Sequence, residues 1–375
     1  MKIFLRKAFI FITIIVAVCY LVSAISGWLK PEQYPYFSII AFPFPFFLIA
    51  LVVCIIMLFF VHKKLAIILL FLLPVGWLSI GNTIALQFPK KWNNSKDIHT
   101  LRMLTWNVMN FDDLAFQGTN KSNNRIGMLK LIEQYQPDII CFQEYKSVEN
   151  GKRRTSVRKE LDSIGYPYHF VTKDLYYYNP KNGREIIGGV AIFSKLPLFD
   201  TVSTPIRFDN VVHEHLCKAK VQLHGKPINI YTAHLASYAL GLHDSITIIN
   251  DYGNDTTIAD TLRPDMAGRL ARTEKLHSEQ IALINAIMDK DTTASIFCGD
   301  INTTPGSYNY RFFKREKQDA FLEKGFGFGT TYNKLLSTLR IDVCFADTHF
   351  KVLQCKVPSK MYSDHYPVVT DLQWK

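Results

Sequence analysis

At 375 residues the chain exceeds one average domain, and its formal charge of +11 would suit a nucleic-acid binder if it were evenly spread. It is not: residues 1–96 carry nine Lys/Arg against the single acid Glu32, a balance of +8, while the remaining 34 basic and 31 acidic residues leave only +3. Most of the positive charge flanks apolar segments, which weakens the nucleic-acid inference for the rest of the chain.

Residues 8–29, 37–61 and 65–88 contain no charged side chain. Each run exceeds the ~20 apolar residues needed to cross a hydrocarbon core of about 30 Å. A signal peptide has an apolar stretch of only ~7–15 residues before a cleavage site, and three consecutive long runs fit neither that nor a buried core helix. Three transmembrane helices are expected, with kinks at Pro43, Pro45 and Pro74. Lys2, Arg6 and Lys7 before the first run, and Lys63 and Lys64 between the second and third, read as cytoplasmic; the loop 30–36, with one charge of each sign, reads as external. An odd number of spans then delivers the C-terminal part to the extracytoplasmic side, against which Lys90 and Lys91 argue. Residues 1–88 are thus expected to be an integral membrane region with the bilayer as partner.

Residues 89–100 are polar, lack apolar periodicity and read as a linker to a second domain at 101–375. Residues 101–107 alternate as a strand, and 123–135 follow a capping Ser122/Asn123 with Ile126, Leu129 and Ile132 at helical spacing. After Pro137, residues 138–143 form a short apolar run suited to a strand buried on both faces. Further strands are expected at 187–194, 216–223, 228–233, 294–298, 339–345, 350–357 and 368–374, and one long helix at 266–288. The stretch 237–263 is aperiodic apart from 246–249; loops of that length are usually functional or disordered. Many strands with few helices indicate an α+β domain built on a sheet sandwich. Cys141, Cys298 and Cys344 lie in apolar runs as small buried hydrophobes; Cys217 and Cys355 are available to pair in an oxidising compartment, and no CxxC spacing supports a zinc site.

Several strand-like runs end in a polar residue able to bind metal or phosphate: Asn107, Glu144, His234, Asp300 with Asn302, and Asp342, with Asp364 and His365 just before the last strand. Burying carboxylates without partners is costly, so polar groups at strand ends can meet in one cleft while the strands fill the core. Asn107, Glu144 and Asp364 supply hard oxygen ligands, which favour Mg²⁺ or Mn²⁺ over zinc. His234 and His365 can donate to phosphate oxygens, Asp300 can position or deprotonate water, and Asn302 can bind a non-bridging oxygen. No Gly-x-Ser-x-Gly elbow or P-loop competes. Taken singly each is weak: Asp342, for instance, reads equally as a buried partner of Arg340.

Thr105-Trp-Asn107, Pro137-Asp-Ile-Ile-Cys-Phe-Gln-Glu144, Gly188-Gly-Val-Ala-Ile-Phe-Ser-Lys195, Thr232-Ala-His-Leu235, Gly299-Asp-Ile-Asn302, Asp319-Ala-Phe321, Arg340-Ile-Asp342 and Ser363-Asp-His365 occur in one order along the chain. That order resembles the endonuclease/exonuclease/phosphatase family, which includes DNase I-like nucleases, abasic-site endonucleases, inositol-phosphate phosphatases and neutral sphingomyelinases. The resemblance implies a DNase I-like four-layer α/β sandwich and a Mg²⁺-dependent phosphoesterase. It further implies Glu144 as principal metal ligand with Asn107 and Asp364 nearby, Asp300 orienting water, Asn302 and His234 on phosphate, and His365 oriented by Asp342. Lys195 departs from the family, where Arg is common, and the length of 237–263 departs from the compact nucleases.

His213 and His215 share one strand face and read as solvent-facing alternation or a metal pair; Tyr176–Tyr178 reads as a stacking platform or surface packing. Lys152, Arg153, Arg154, Arg158 and Lys159 form a basic cluster on an expected helix, a solvated face or a phosphate-backbone contact. The substrate is expected to be a phosphodiester or phosphomonoester, whether lipid, small molecule or nucleic acid. A catalytically silent binding module is the competing class, and no residue pattern identifies a protein partner.

Overall fold

The computed structural model describes all residues except 1, 89, 113–121, 151–155, 182, 208–213, 239–245, 250–254, 259–264 and 335–337. The chain divides into two compact units, one of Met1–Ile84, Asp265–Glu279 and Thr303–Arg315, the other of Ala85–Pro264, Gln280–Asn302 and Glu316–Lys375.

In the first unit three helices are long and apolar enough to cross a membrane, Ile3–Ser26, Phe44–Val61 and Lys63–Thr83. The second helix starts at Phe44 rather than residue 37, because Pro43 and Pro45 fit only a first turn, where the missing N–H needs no partner. Residues before it form short turns, Pro35–Ser38 and Ile39–Ala41. Pro74 breaks the third helix into Lys63–Leu70 and Trp77–Thr83 around a 3₁₀ turn, and the Tyr20 hydroxyl donates to the Leu73 carbonyl at the break (2.6 Å). Gly76 is required there, since a Cβ would stand 2.2 Å from the Tyr20 hydroxyl. Ala17, Tyr20 and Ala24 pack on Phe44, Leu48, Leu51 and Ile55, while Phe11, Ile14, Ile15, Val53, Ile56 and Phe60 remain exposed and apolar. Within the same unit, Ser278 donates to Glu32 (2.5 Å), Arg311 stacks over Trp28 (4.1 Å to the ring centre) and Lys314 donates to Asn82 (2.9 Å).

The second unit holds two mixed sheets. One orders its strands Phe350–Lys356, Val368–Trp374, Thr100–Asn107, Ile139–Glu149, Arg184–Ser194 and Tyr168–Val171, with Leu175–Asn179 also on Arg184–Ser194. The other runs Gln318–Asp319, Asp342–Ala346, Ser295–Asp300, Lys226–Thr232, His215–Leu223 and Phe199–Pro205. Leu101, Met103, Ile139 and Ile192 of the first sheet pack against Cys217, Ala219, Ile230, Ile296 and Cys344 of the second. The opposite face of the first sheet, with Leu104, Trp106, Phe142 and Phe193, is covered by Met128, Leu131 and Ile132 of the helix Asn123–Tyr135 and by Leu161 of Val157–Ser163. This is the α+β, DNase I-like sandwich. Ser122 caps Asn123–Tyr135 by accepting the Arg125 N–H (2.9 Å).

Strands at Tyr168–Val171, Leu175–Asn179 and Phe199–Pro205 were not expected; they lie at or near sheet edges, where burial leaves little periodicity. The first of the inner strands runs on to Glu149, past the apolar run, because its polar end still pairs with Arg184–Ser194. Residues 339–341 precede rather than belong to their strand. The helix at 266 ends at Asp289, and residues 246–249 pair with Asp255–Ile258; the rest of 237–263 from residue 239 lies mostly outside the described residues, as do His213, Lys152, Arg153 and Arg154. Tyr176 and Tyr178 are exposed on a strand.

Residues 90–99 are polar yet tied down: Arg102 donates to the carbonyls of Asn93 (3.2 Å) and Asn94 (3.1 Å), and Lys96 pairs with Asp138. All seven cysteines are free, Cys217 and Cys355 included, and the Cys298 and Cys344 sulfurs lie 3.1 Å apart on paired strands.

Candidate active site

The strand ends meet through register. Thr100–Asn107 runs parallel to Ile139–Glu149 with Asn107 opposite Gln143, so Glu144 stands one residue beyond. The Gln143 amide nitrogen donates to Thr232 (2.9 Å) and Thr105 (3.1 Å), joining the two sheets beneath the cleft. Between Phe142 and Tyr145 the ladder with Arg184–Ser194 shifts register, and Glu144 takes φ 51° in that bulge. Opposite it Gly189 has φ 137°, and a Cβ there would stand 2.5 Å from the Thr172 hydroxyl. The bulge turns Glu144 out of the core, leaving its side chain 36% exposed, and the close approach of Thr172 explains Gly189.

On the second sheet Asp300 pairs with Asp342 across antiparallel strands, and His234 bridges to Asp300 in parallel register. Gly299 permits that approach: a Cβ would meet the Ala233 carbonyl oxygen at 2.4 Å. Asn302, at φ 47°, donates its backbone N–H to Asp300 Oδ1 (3.0 Å) and its side chain to the Leu235 carbonyl (2.9 Å).

The side chains converge in one chain of contacts. The Asn107 amide nitrogen donates to Glu144 Oε1 (2.9 Å) and Asp300 Oδ2 (3.1 Å). His234 Nε2 lies 3.6 Å from Asp300 Oδ2 and 3.8 Å from Glu144 Oε1. His365 Nδ1 is 2.8 Å from Asp342 Oδ2 and 3.7 Å from Asp300 Oδ2. Asp364 joins through Ser363, whose hydroxyl is 2.8 Å from the Asn107 carbonyl and 3.1 Å from Asp364 Oδ1. All eight residues expected to form a site are therefore connected, Asp364 the least directly. Asp342 partners His365, whereas Arg340 pairs with the buried Asp319.

Charge is concentrated here. Burial, then the Asp342 carboxylate, push Asp300 up to about 6, against the pull of His365 and His234. Burial opposes a cation at His365, but Asp342 and Asp300 outweigh it and raise the imidazole to about 10. His234 follows the same pattern: burial lowers it, and Asp300, Glu144 and Glu214 lift it above the ordinary value.

Asp300, Asp342 and His365 offer donor atoms within 4.8 Å of one another, and Asp342 Oδ1 is buried with no hydrogen bond. With Glu144 and Asn107 alongside, this oxygen-rich, anion-crowded set fits a hard divalent cation better than zinc.

Other residues sequence reading did not reach. Thr331 accepts the N–H groups of Ile341 (3.0 Å) and Asp342 (3.1 Å), and Trp106 donates to the His365 carbonyl (2.9 Å). The Tyr332 ring lies 5.0 Å from that of His365. Asp174, pushed up to about 6 mainly by burial, contacts His215 at 2.8 Å, and Glu214, raised by burial, accepts from Gln280. Two of these carried a signal: Trp106 as part of Thr105-Trp-Asn107, and His215 by sharing a face with His213.

A family model described as "Endonuclease/Exonuclease/phosphatase family" matches residues 104–365, and one described as "Domain of unknown function (DUF8431)" matches residues 6–83. Mouse (Mus musculus) protein angel homolog 2 is 27% identical over 192 residues, 51% of this chain and 30% of that protein, so the chain spans under a third of that relative. Among solved structures, an endonuclease/exonuclease/phosphatase from Beutenbergia cavernae DSM 12333 is 18% identical with a TM-score of 0.50, covering 73% of this chain and 72% of that one. The Bacteroides thetaiotaomicron VPI-5482 mannosyl-6-phosphatase is 15% identical with a TM-score of 0.49, covering 73% and 100%. Sequence motifs, two-sheet architecture and matched model agree: this chain belongs to the endonuclease/exonuclease/phosphatase family.

Proposed function

We propose that the chain is a membrane-anchored, divalent-metal-dependent phosphoesterase that hydrolyses a phosphodiester or phosphomonoester by attack of water. The observation that carries this reading is the single contact chain from Glu144 through Asn107 and Asp300 to Asp342 and His365, contributed by five separate segments of the two sheets.

Glu144, Asn107 and Asp364 would hold Mg²⁺ or Mn²⁺, with the crowded Asp300 and Asp342 carboxylates adding to the negative field. When bound, the ion supplies charge neutralisation at a phosphate oxygen and the leaving oxygen. Asp300, fixed by the Asn302 N–H, orients the attacking water; its elevated pKa suits it to hold a proton near neutrality. His365, kept cationic by Asp342, faces developing negative charge on the phosphoryl group, and His234 and Asn302 contact non-bridging oxygens.

Membrane anchoring and an external catalytic domain are part of the proposal. Lys2, Arg6 and Lys7, with Lys63 and Lys64, support an external loop 30–36, although Lys90 and Lys91 count against it. In the same unit Ser278 binds Glu32 and Arg311 stacks on Trp28, which supports having residues 265–279 and the helix Tyr308–Lys314 on that side as well. An alkaline phosphatase fused after Lys375 should be active; an inactive fusion beside an active cytoplasmic reporter refutes this orientation.

A lipid or small phosphoester suits the tether and the nearly balanced charge of residues 97–375. Arg158, of the basic cluster, is already paired with Glu149 (3.2 Å). Purified full-length chain should be given nucleic acids, phospholipids, sugar phosphates and bis-p-nitrophenyl phosphate with Mg²⁺, Mn²⁺ or EDTA. Metal-dependent release of phosphate or nitrophenol is expected; inactivity on all of them favours a silent binding module. A steep fall of substrate binding with salt would instead mark a nucleic-acid substrate.

A further inference from the structure

Residues 325–329 read Gly-Phe-Gly-Phe-Gly, a pattern that the site chemistry does not use. This segment folds tightly over Phe321: a Cβ at Gly325 or Gly329 would meet the Phe321 ring at 2.5 or 2.4 Å, and Gly327 and Gly329 take φ 78° and 65°. The turn forms one wall of a groove of about 340 Å³ lined by Lys90, Lys324, Lys356, Phe321, Phe326 and Tyr366. The three lysines are exposed, no carboxylate lines the groove, and none of their ammonium groups pairs with an acid among the described residues.

The groove's edge is also apolar and open. Phe326 is 61% exposed and pairs with Leu86, itself 74% exposed, in the short ladder Ala85–Leu86 with Phe326–Gly327; Phe88 is 89% exposed. Leu86 stands three residues after Thr83, the end of the third apolar helix. In the sequence only Ile84 and Ala85 separate Leu86 from that helix. Exposed aromatic and aliphatic side chains this close in sequence to a membrane-crossing segment suit the bilayer interface, and lysine ammonium groups beside them suit headgroup phosphates.

We propose that the Lys90–Lys324–Lys356 groove docks the headgroup phosphate of an anionic phospholipid, with Phe326, Leu86 and Phe88 entering the interface beside it. The inference rests on the membrane-anchoring reading above and is independent of the catalytic one. Tyr366 and Thr330 in the groove adjoin His365 and Thr331, so an occupied groove borders the segments that hold the catalytic imidazole.

The test is hydrogen–deuterium exchange of the full chain in nanodiscs of phosphatidylcholine alone or with about 30 mol % phosphatidylglycerol. Each lysine near an anionic surface contributes about fivefold to association. Amides of 325–329 and 355–359 should exchange at least about fivefold more slowly with phosphatidylglycerol, and the difference should vanish in Lys324→Gln/Lys356→Gln. Unchanged exchange of Ser295–Asp300 in that variant shows that the fold survives. Equal exchange in the two lipids, or protection that survives the double substitution, overturns the proposal. Equal protection by inorganic phosphate in neutral nanodiscs also overturns it, in favour of a soluble-anion site. A chain that does not incorporate into either nanodisc fails the anchoring reading itself, a result distinct from the others.

Discussion

The two halves of the cleft are held in contrasting ways. Asp300, Asp342 and His365 are buried on regular strands or beside them, locked by Asn302, Thr331 and Trp106. Glu144 sits in a bulge, a third exposed, with Asn107 as its hydrogen-bond partner. Charges in the first half are fixed by neighbours and shift each other's pKa; the second half is open to exchange its partner for an ion. A site that must bind and release a cation or a phosphate needs such an asymmetry, because a wholly sealed anionic cluster would have no route for either.

The largest effect should come from the open half. Glu144→Gln keeps the hydrogen bond to Asn107 but removes a charge, and hydrolysis should fall by about 10³-fold or more while stability changes by less than about 1 kcal/mol. A large stability change in denaturation would mean that Glu144 is structural.

Asp342→Asn probes the sealed half. Activity should drop about 10²-fold, and the His365 imidazole, followed by NMR, should titrate well below the value near 10 expected in the wild type. Because that pKa is raised above the unfolded value of ~6.5, the Asp342–His365 pair stabilises fully below ~6.5 and the benefit fades as pH rises through about 10. The variant should show a flatter stability profile across that window. An unchanged profile breaks the contrast between the halves.

Asp300→Asn should act oppositely on stability and activity. A carboxyl raised to about 6 favours the fold while protonated, an advantage lost as pH rises from ~4 through about 6. Above pH 6, in EDTA, the variant should unfold a few degrees higher, on the order of 5 °C, though inactive. A lower midpoint would show that ionised Asp300 is a net stabiliser.

Arg102→Ala is the scaffold control. Arg102 donates twice to Asp371 (2.7 and 2.8 Å) and to the Tyr135 carbonyl (2.9 Å), all buried, so its loss should cost about 3–5 kcal/mol while leaving the activity of folded protein intact. The smallest effect is expected at Lys195→Arg, which restores the family residue: Lys195 lies partly buried over the Tyr166 ring (5.3 Å), and activity should stay within about twofold.

How far the sequence reached follows the same contrast. The strands Thr100–Asn107 and Val368–Trp374 were legible as short, largely apolar runs, which burial on both faces demands, and the helix Asn123–Tyr135 by its Ser122 cap and helical spacing. Site residues were legible as polar ends of apolar runs. Edge strands such as Phe199–Pro205 were not, since no residue of that strand is buried and no in–out alternation marks the sequence. Nor was the bulge that aims Glu144, which shows only in the register with Arg184–Ser194, or the partnership of Arg340 with Asp319 rather than Asp342. Thr331 acts through its hydroxyl on two backbone amides, a role that no spacing encodes.

Crystals of the full chain soaked in Mn²⁺ give the most direct test of the cleft as a single ion site, through the anomalous signal of the metal. The account predicts a peak within coordination distance of Glu144 and beside Asp300, absent in Glu144→Gln. Manganese bound elsewhere, or a peak at the cleft that persists in the variant, would contradict it.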